Sequence, residues 1–172
     1  HGLINNAAIN PIVTKSISSN QLTRLESYPI DQWEKELDVG LKGSFICTKH
    51  FSKLMLKNQE KGVIINMSSD LGLIAPDQRI YEIKGLPKNQ QPVKPVTYSV
   101  IKTGLIGFSR YLATYFEGKI RSNTICPGGV RNNQAEEFVK KLEDLIPMGR
   151  MAEKDELIGT LVYLLSDASS YV

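Results

Sequence analysis

The chain has 172 residues, of which 41% are hydrophobic and 23% are charged, and its formal net charge at pH 7 is +3. This composition is typical of a globular domain of ordinary size, and no apolar run approaches the ~18–20 residues that a membrane-spanning helix needs. The basic residues are scattered, without the focused patch and recognisable module of a nucleic-acid-binding protein, so we expect neither a membrane nor a nucleic acid as partner.

The two cysteines indicate the compartment. Cys47 and Cys126 fit no spacing typical of a disulfide or a metal site. Each lies in an apolar stretch, so we predict two buried thiols, no metal site, and a reducing, cytoplasmic location.

The first half of the chain predicts two strands and a long helix. The opening run HGLINN predicts a strand that enters a turn. Residues 30–59 predict one long helix, with Asp31 as N-cap and Glu34 completing a capping box. Residues 62–68 form a continuous apolar run, as in a strand buried on both faces. Four prolines argue against a helix or a central strand in residues 70–96.

The second half predicts a strand among three helices. From Tyr98 onward a helical period predicts one apolar face, formed by Ile101, Leu105, Phe108, Leu112 and Tyr115. Residues 119–129 predict a strand, and residues 133–145 and 153–167 predict two further helices. Strands that alternate with helices indicate a parallel sheet covered on both faces. Three strands make a small sheet of this kind, so we expect the chain to be a piece of a longer protein.

Tyr98 and Lys102 are the first candidates for chemistry. Their i, i+4 spacing places both side chains on one face of a helix. A nearby ammonium group favours phenolate and lowers the pKa of a tyrosine, which can then exchange a proton with a substrate oxygen near neutral pH. Without further context, the same spacing also fits a half-buried tyrosine beside a surface lysine.

Three strand ends supply that context. Ser68 and Ser69 follow a buried strand directly, at the sheet edge where open α/β folds bind ligands. The stretch NNAA follows the first strand, and CPGGV follows the third. Gly128 and Gly129 would let backbone approach a flat ligand, since no Cβ intervenes. Each stretch alone is also an ordinary turn.

Taken together, these motifs resemble the classical short-chain dehydrogenases/reductases. The resemblance rests on NNAA (5–8), INMSS (65–69), YSVIK (98–102) and CPGGV (126–130), and the tail from residue 150 is similar to the last helix of that family. It implies a doubly wound, Rossmann-like α/β fold with strand order 3-2-1-4-5-6-7. Residues 1–172 would be the C-terminal part of a single such domain, contributing strands 4 to 6, without the N-terminal dinucleotide-binding half and the last strand.

The resemblance also implies roles for individual residues. Tyr98 would be the catalytic acid/base, and Lys102 would lower its pKa and hold the nicotinamide ribose. Ser69 would hydrogen-bond the reacting substrate oxygen. The remaining expected contacts with NAD or NADP are made by Asn5, Ala7, Pro127, Gly128 and Val130. The family also implies a small-molecule substrate, an alcohol or ketone, and a homodimer or homotetramer.

Two departures from the family pattern stand out. Gly40 occupies the place of an asparagine that completes a proton relay, so water or backbone must replace it, or the relay is absent. The interval between Ser69 and Tyr98 is longer than usual because of residues 74–96, whose four basic and two acidic residues give a net charge of +2. This segment fits a solvated loop or a wall of the substrate site that favours an anionic substrate. It resembles a branch linked to bacterial flagellin and lipopolysaccharide sugar modification.

Three functions remain open at this point. The first is an NAD(P)-dependent oxidoreductase acting on an alcohol or ketone, with a sugar or sugar phosphate as one candidate substrate. The second is an epimerase or dehydratase of the same fold, and the third is a non-catalytic dinucleotide-binding protein, which Gly40 favours. A serine hydrolase is disfavoured, since the chain has no G-x-S-x-G elbow.

Overall fold

The computed structural model describes residues 1–9, 22–58 and 61–172. Three strands form one parallel sheet in the order β1 (Gly2–Asn5), β2 (Gly62–Met67) and β3 (Ile120–Ile125). In the register, Ile4 pairs with Ile65, which in turn pairs with Asn123. The predicted parallel α/β architecture is therefore confirmed, with three strands that are neighbours in chain order.

Five α-helices surround this sheet in the described part of the chain. They are α1 (Ile30–Leu37), α2 (Gly43–Lys57), α3 (Val96–Tyr115), α4 (Glu136–Glu143) and α5 (Ile158–Leu165). The predicted order of strands and helices is confirmed. None of these described helices is long and apolar enough to cross a membrane.

The sheet is covered on both faces, and the side chains of β2 alternate between the two cores that result. Ile64 packs with α2 and α3, in a cluster completed by Met55, Leu112, Phe116 and Ile120. Val63, Ile65 and Met67 point the other way and pack with Ile125 and with Leu164 of α5. All of β2 is buried, as its continuous apolar sequence predicts. Burial of one such side chain contributes roughly 1.5–3 kcal/mol.

The long predicted helix contains an irregularity. A π-helical turn (Asp38–Lys42) separates α1 from α2, and such turns frequently occur at functional sites. The predicted cap is wrong: Pro29 is the N-cap residue, in an extended conformation, and no side chain caps the helix. Asp31 lies in the first turn, where the helix dipole favours a carboxylate. Residues 59 and 60 lie outside the described residues.

Three other predictions need correction, and they concern the burial of the two thiols, one helix face and the start of the last helix. Cys47 is exposed and Cys126 is only partly buried, so neither is the fully buried thiol that its apolar neighbours suggested. Tyr115 is 63% exposed, because the buried face of α3 continues through Leu112 to Phe116. The last predicted helix begins with a 3₁₀ turn (Lys154–Leu157) before α5.

Candidate active site

The turns that follow β2 and β3 are tied together at the carboxyl edge of the sheet. The Ser68 N–H donates to the carbonyl of Ile125 at 2.8 Å, and the Asp70 N–H donates to the carbonyl of Pro127 at 2.9 Å. The sequence motifs INMSS and CPGGV therefore meet, because parallel strands end at one edge.

Helix α3 brings Tyr98 and Lys102 to the same edge. It starts immediately after Pro95, whose ring restricts the chain before the first turn. The Lys102 ammonium group is buried and donates to the carbonyl of Met67 at 2.7 Å. In return, Ser68 Oγ donates to the Lys102 carbonyl at 2.7 Å. Lys102 is thus fixed against the end of β2, with Nζ 5.6 Å from the centroid of the Tyr98 ring.

Ser69 completes the group that the sequence predicted. Its side chain is buried, and its hydroxyl group is close enough to Tyr98 to lower the pKa of the phenol. Its Oγ also donates to Asp70 Oδ1 at 2.7 Å and accepts from the N–H of Leu71 at 3.2 Å. The structure therefore places Ser69, Tyr98 and Lys102 together, and adds Asp70 to them. Asp70 stands next to the serine pair in the sequence, which is the signal that could have identified it.

The electrostatics of Tyr98 differ from the prediction. Burial raises the pKa of Tyr98, the nearby hydroxyl group of Ser69 lowers it, and the charge of Asp70 raises it further, so the net direction is upward. The expected lowering by Lys102 is wrong for this arrangement, because burial raises the pKa of Tyr98 and Lys102 is not among the groups that shift it. Burial also lowers the pKa of Lys102. The phenol of Tyr98 is consequently protonated at neutral pH and available as a hydrogen-bond and proton donor.

Asn5 and Ala7 lie at the end of β1. The Asn5 amide is buried and donates to Asn66 Oδ1 at 2.8 Å and to Thr48 Oγ1 at 3.2 Å. Asn66 in turn donates to Ser109 Oγ at 2.7 Å. The Asn5 side chain therefore connects β1 to β2 and α2, whereas Ala7 is exposed beyond the strand.

Val130 lies beyond β3, where the chain forms an isolated parallel bridge with Ala152. The two hydrogen bonds of this bridge use the N–H groups of Arg131 and Ala152, both at 2.9 Å. The Val130 carbonyl accepts from the Gln134 side chain at 2.8 Å. The bridge thus does not use the Val130 N–H, which could donate to a ligand carboxamide.

The two glycines of CPGGV differ in their surroundings. A Cβ at Gly128 would lie 3.7 Å from Asp70 Oδ2, an ordinary contact, so that position is open to a ligand. A Cβ at Gly129 would lie only 2.8 Å from Leu142. Close packing of the protein itself, rather than a ligand, accounts for the second glycine.

Gly40 offers no room for the relay asparagine of the family. It is buried in the π-helical turn, and a Cβ there would lie 2.6 Å from Cγ2 of the buried residue Ile101. The Gly40 carbonyl accepts from Ser44 Oγ at 2.7 Å.

A buried carboxylate close to the site was not predicted. Glu36 is 1% exposed and accepts hydrogen bonds from Thr97, from Tyr28 at 2.9 Å and from Gln32 at 2.5 Å. Burial is the main reason that the pKa of Tyr28 rises to about 12. Because Thr97 precedes Tyr98 directly, this network fixes the first turn of α3.

Segment 74–96 contributes two further residues that the sequence did not single out. The Lys94 ammonium group lies 3.6 Å from the centroid of the Tyr98 ring. Tyr81 is close enough for the charges of Tyr98 and Asp70 to raise its pKa, although burial is the larger cause. Among the described residues, no cluster of three or more His, Cys, Asp or Glu side chains could hold a metal ion.

Comparisons with known proteins agree with this geometry. A family model described as "Enoyl-(Acyl carrier protein) reductase" matches residues 1–172. The Post-translational flagellin modification protein A of Campylobacter coli is 36% identical over 139 residues, which are 80% of this chain and 52% of that relative.

Solved structures are similar over almost the whole chain. A short chain dehydrogenase from Leptospira borgpetersenii with bound NAD+ has a TM-score of 0.84 and 31% identity, and the match covers 99% of this chain and 59% of that one. A putative 2-deoxy-D-gluconate 3-dehydrogenase from Agrobacterium tumefaciens with bound NADP has a TM-score of 0.79 and 25% identity, covering 99% and 62%. The chain thus spans about half to three fifths of the length of these proteins, and it belongs to the short-chain dehydrogenase/reductase family.

Proposed function

We propose that the protein is an NAD(P)-dependent oxidoreductase that transfers a hydride between a nicotinamide cofactor and an alcohol or ketone. The observation that carries this proposal is the meeting of three side chains at the carboxyl edge of the sheet. Tyr98 and Lys102 share one face of α3, and the hydroxyl group of Ser69, which follows β2, is close enough to Tyr98 to lower the pKa of the phenol. This edge is where open α/β sheets bind their ligands.

Each of the three residues has a defined task in this proposal. Ser69 turns its hydroxyl group from Asp70 toward the reacting substrate oxygen. Tyr98 donates its proton to that oxygen during reduction and takes it back during oxidation. Lys102, anchored on the Met67 carbonyl, holds the cofactor ribose and stabilises the phenolate that forms. The bound cofactor supplies or accepts the hydride.

The remaining contacts with NAD or NADP come from three strand ends. Asn5 and Ala7 follow β1, and Pro127 and Gly128 form the open turn after β3. The Val130 N–H, which the Ala152 bridge does not use, is suited to donate to the carboxamide of the nicotinamide. The Asn5 amide is occupied by Asn66 and Thr48, so Asn5 would meet a cofactor through its backbone.

The proposal also covers the domain, the substrate class, the cellular location and the assembly of the protein. Residues 1–172 are the C-terminal part of a single Rossmann domain, as the partial coverage of the longer relatives suggests. A sugar-derived compound is the substrate class that the name of the Agrobacterium relative favours. We place the enzyme in the cytoplasm, as a homodimer or homotetramer formed through exposed apolar side chains on α2 and α3.

The test is the substitution Tyr98→Phe in the full-length protein that contains this chain. It removes the transferable proton and keeps the ring, so turnover of polyols or keto sugars should fall by roughly 10²–10⁴. Binding of NAD(P)H, followed by fluorescence, should change little. Lys102→Ala should reduce both. Tyr163→Phe, which removes a phenol on α5, is the control. Wild-type turnover in the Tyr98→Phe variant would overturn the assignment.

A further inference from the structure

Asp70 uses only one of its two carboxylate oxygens for hydrogen bonds with the described part of the chain. Its Oδ1 accepts from Ser69 Oγ at 2.7 Å and from the Leu71 N–H at 2.8 Å. Its Oδ2 accepts no hydrogen bond from a described residue. Because each oxygen of a carboxylate has room for about two hydrogen bonds, Oδ2 keeps its capacity for a ligand that donates one.

Asp70 Oδ2 faces the open turn of CPGGV. A Cβ added at Gly128 would lie 3.7 Å from Oδ2, and among the described residues beyond its chain neighbours no other atom would lie within 4 Å of it. Gly128 itself is exposed. The Asp70 N–H donates to the Pro127 carbonyl at 2.9 Å, so the backbone that carries the carboxylate is tied to this turn. Oδ2 is therefore an acceptor held at the opening of the proposed active site.

Tyr81 supplies a second polar group that the described residues leave unused. It ends a 3₁₀ turn (Gln78–Tyr81), and its ring packs against Phe138 of α4, with the ring centroids 5.4 Å apart. Its hydroxyl group makes no hydrogen bond with a described residue. Burial is the main reason that the pKa of Tyr81 is raised, and the charges of Tyr98 and Asp70 add to it. The hydroxyl group is therefore close to both of these residues and stays protonated at neutral pH, as a hydrogen-bond donor.

The two unused groups border the place that the proposed reaction assigns to the reacting oxygen. That oxygen lies between Ser69 and Tyr98. Ser69 is hydrogen-bonded to Asp70, and Tyr98 is one of the groups whose charge acts on Tyr81. A carboxylate accepts hydrogen bonds, a phenol donates them, and a hydroxyl group of a substrate does both. An alkyl group at this place would leave both protein groups unpaired, and a carboxylate or phosphate would meet a charge of its own sign on Asp70.

We propose that Asp70 Oδ2 and the Tyr81 hydroxyl group bind a second hydroxyl group of the substrate, on the carbon next to the reacting one. The enzyme then oxidises a vicinal diol or reduces an α-hydroxy ketone. This inference rests on the proposed function and specifies its substrate class. Asp70 and Tyr81 determine specificity in this arrangement, while the hydride still moves through the cofactor and the proton through Tyr98. Segment 74–96 contributes Tyr81 and so forms a wall of the substrate site.

The experiment compares three alcohols that share one ring, namely cyclohexanol, 1,2-cyclohexanediol and 2-methoxycyclohexanol, the last two as cis and trans isomers. Oxidation by the full-length protein with NAD+ or NADP+ gives kcat/KM for each alcohol. Calorimetry on the protein saturated with reduced cofactor, where no oxidation can occur, gives the affinity. One isomer of the diol should exceed cyclohexanol by roughly ten-fold or more in both measurements. The methyl ether should lose this advantage, because it has no proton to donate to Asp70.

Two substitutions remove the proposed contacts one at a time. Tyr81→Phe keeps the packed ring and removes the donor, so it should reduce the preference for the diol roughly 2- to 10-fold. Asp70→Ala removes the charged acceptor and should reduce the preference roughly ten-fold or more. Any effect of Asp70 on Tyr98 changes the rates of all three alcohols alike, so the ratio of diol to cyclohexanol isolates the contact. Tyr163→Phe on α5 and Asp144→Asn at the end of α4 are the controls and should leave this ratio unchanged.

Three results would overturn the inference while leaving the proposed function intact. The first is a wild-type protein without preference for either diol isomer, including one that neither binds nor oxidises the diol. The second is a preference that survives both substitutions. The third is an equal loss for all three alcohols, which would make Asp70 and Tyr81 positioning residues for Tyr98. A preference in affinity that depends on Asp70, together with wild-type turnover in Tyr98→Phe, would instead overturn the proposed function alone.

Discussion

Asp70 shows how one side chain can change the properties of a neighbouring catalytic group. Its carboxylate accepts a hydrogen bond from Ser69 Oγ at 2.7 Å, and its charge raises the pKa of Tyr98. Burial is the main cause of the raised pKa and Asp70 adds to it. Asp70 also occupies the serine hydroxyl group until a substrate oxygen competes for it. A negative charge at this place favours the form of Tyr98 that donates a proton.

We expect Asp70→Asn to lower the pKa of Tyr98. Removing a negative charge favours phenolate, so the transition should move to lower pH. Ultraviolet tyrosinate titration measures it when the signal of the double variant Asp70→Asn, Tyr98→Phe is subtracted, because the charge of Asp70 also raises the pKa of Tyr81. This readout separates Tyr98 from Lys94, whose pKa falls in the same variant because Asp70 also raises it.

The control for this measurement is Asp144→Asn. Asp144 is an exposed residue at the end of α4, and its replacement should leave the titration of Tyr98 in place. A transition that stays fixed or moves to higher pH in Asp70→Asn would show that Asp70 does not act on the phenol.

The candidate site was only partly predictable from the sequence at this scale. The spacing of Tyr98 and Lys102 and the place of Ser69 at a strand end were enough to predict that they meet. The direction in which the pKa of Tyr98 shifts could not be predicted, since it depends on burial and on Asp70. Lys94 and Glu36 reach the site through tertiary contacts that no local pattern encodes.

At the scale of elements, periodicity predicted each strand and helix but not the break within residues 30–57. Both α1 and α2 are regular helices, and the π-helical turn between them adds no proline or polar run that a pattern could reveal. Gly40 in that turn is explained only by the approach of Ile101 from α3. Helix propensity alone would favour replacing this glycine.

We expect Gly40→Ala to destabilise the protein, against its helix propensity. The added Cβ would lie 2.6 Å from Ile101 Cγ2, in a buried place where neighbouring side chains are packed. Overpacking of this kind typically costs about 1–3 kcal/mol, and Asn at this position should be worse because it is larger. Denaturant unfolding of the full-length protein measures the change.

Gly159→Ala is the matched comparison for this prediction. Gly159 lies in α5, and a Cβ added there would meet no other side chain of the described residues within 4 Å. Alanine at this position should therefore be neutral or stabilise by up to ~1 kcal/mol. Equal free energies of unfolding for the two variants would mean that the contact with Ile101 relaxes without penalty.

At the scale of the whole molecule, the sequence predicted the doubly covered parallel sheet because strand and helix periods alternate clearly. The sequence did not predict which apolar side chains remain exposed to solvent. Phe45 on α2 is 52% exposed, and on α3 Tyr111 and Tyr115 are 60% and 63% exposed. The rings of the two tyrosines stack with their centroids 5.6 Å apart, and the ring centroids of Phe45 and Phe108 are 6.5 Å apart. These aromatic residues form a surface on α2 and α3 whose burial would be favourable.

We expect this aromatic surface to be the contact between subunits of the full-length protein. Sedimentation at micromolar concentration should show a dimer or tetramer for the wild type and a smaller species for the double substitution Phe45→Glu and Tyr115→Glu. Two unpaired carboxylates in an apolar contact are strongly disfavoured, since burying a charge without a partner costs several kcal/mol. Met148→Glu, at a position that is 76% exposed between α4 and α5, should leave the assembly unchanged. An assembly that tolerates both glutamates would place the subunit contact on another surface. A monomeric wild type would show that this surface forms no subunit contact.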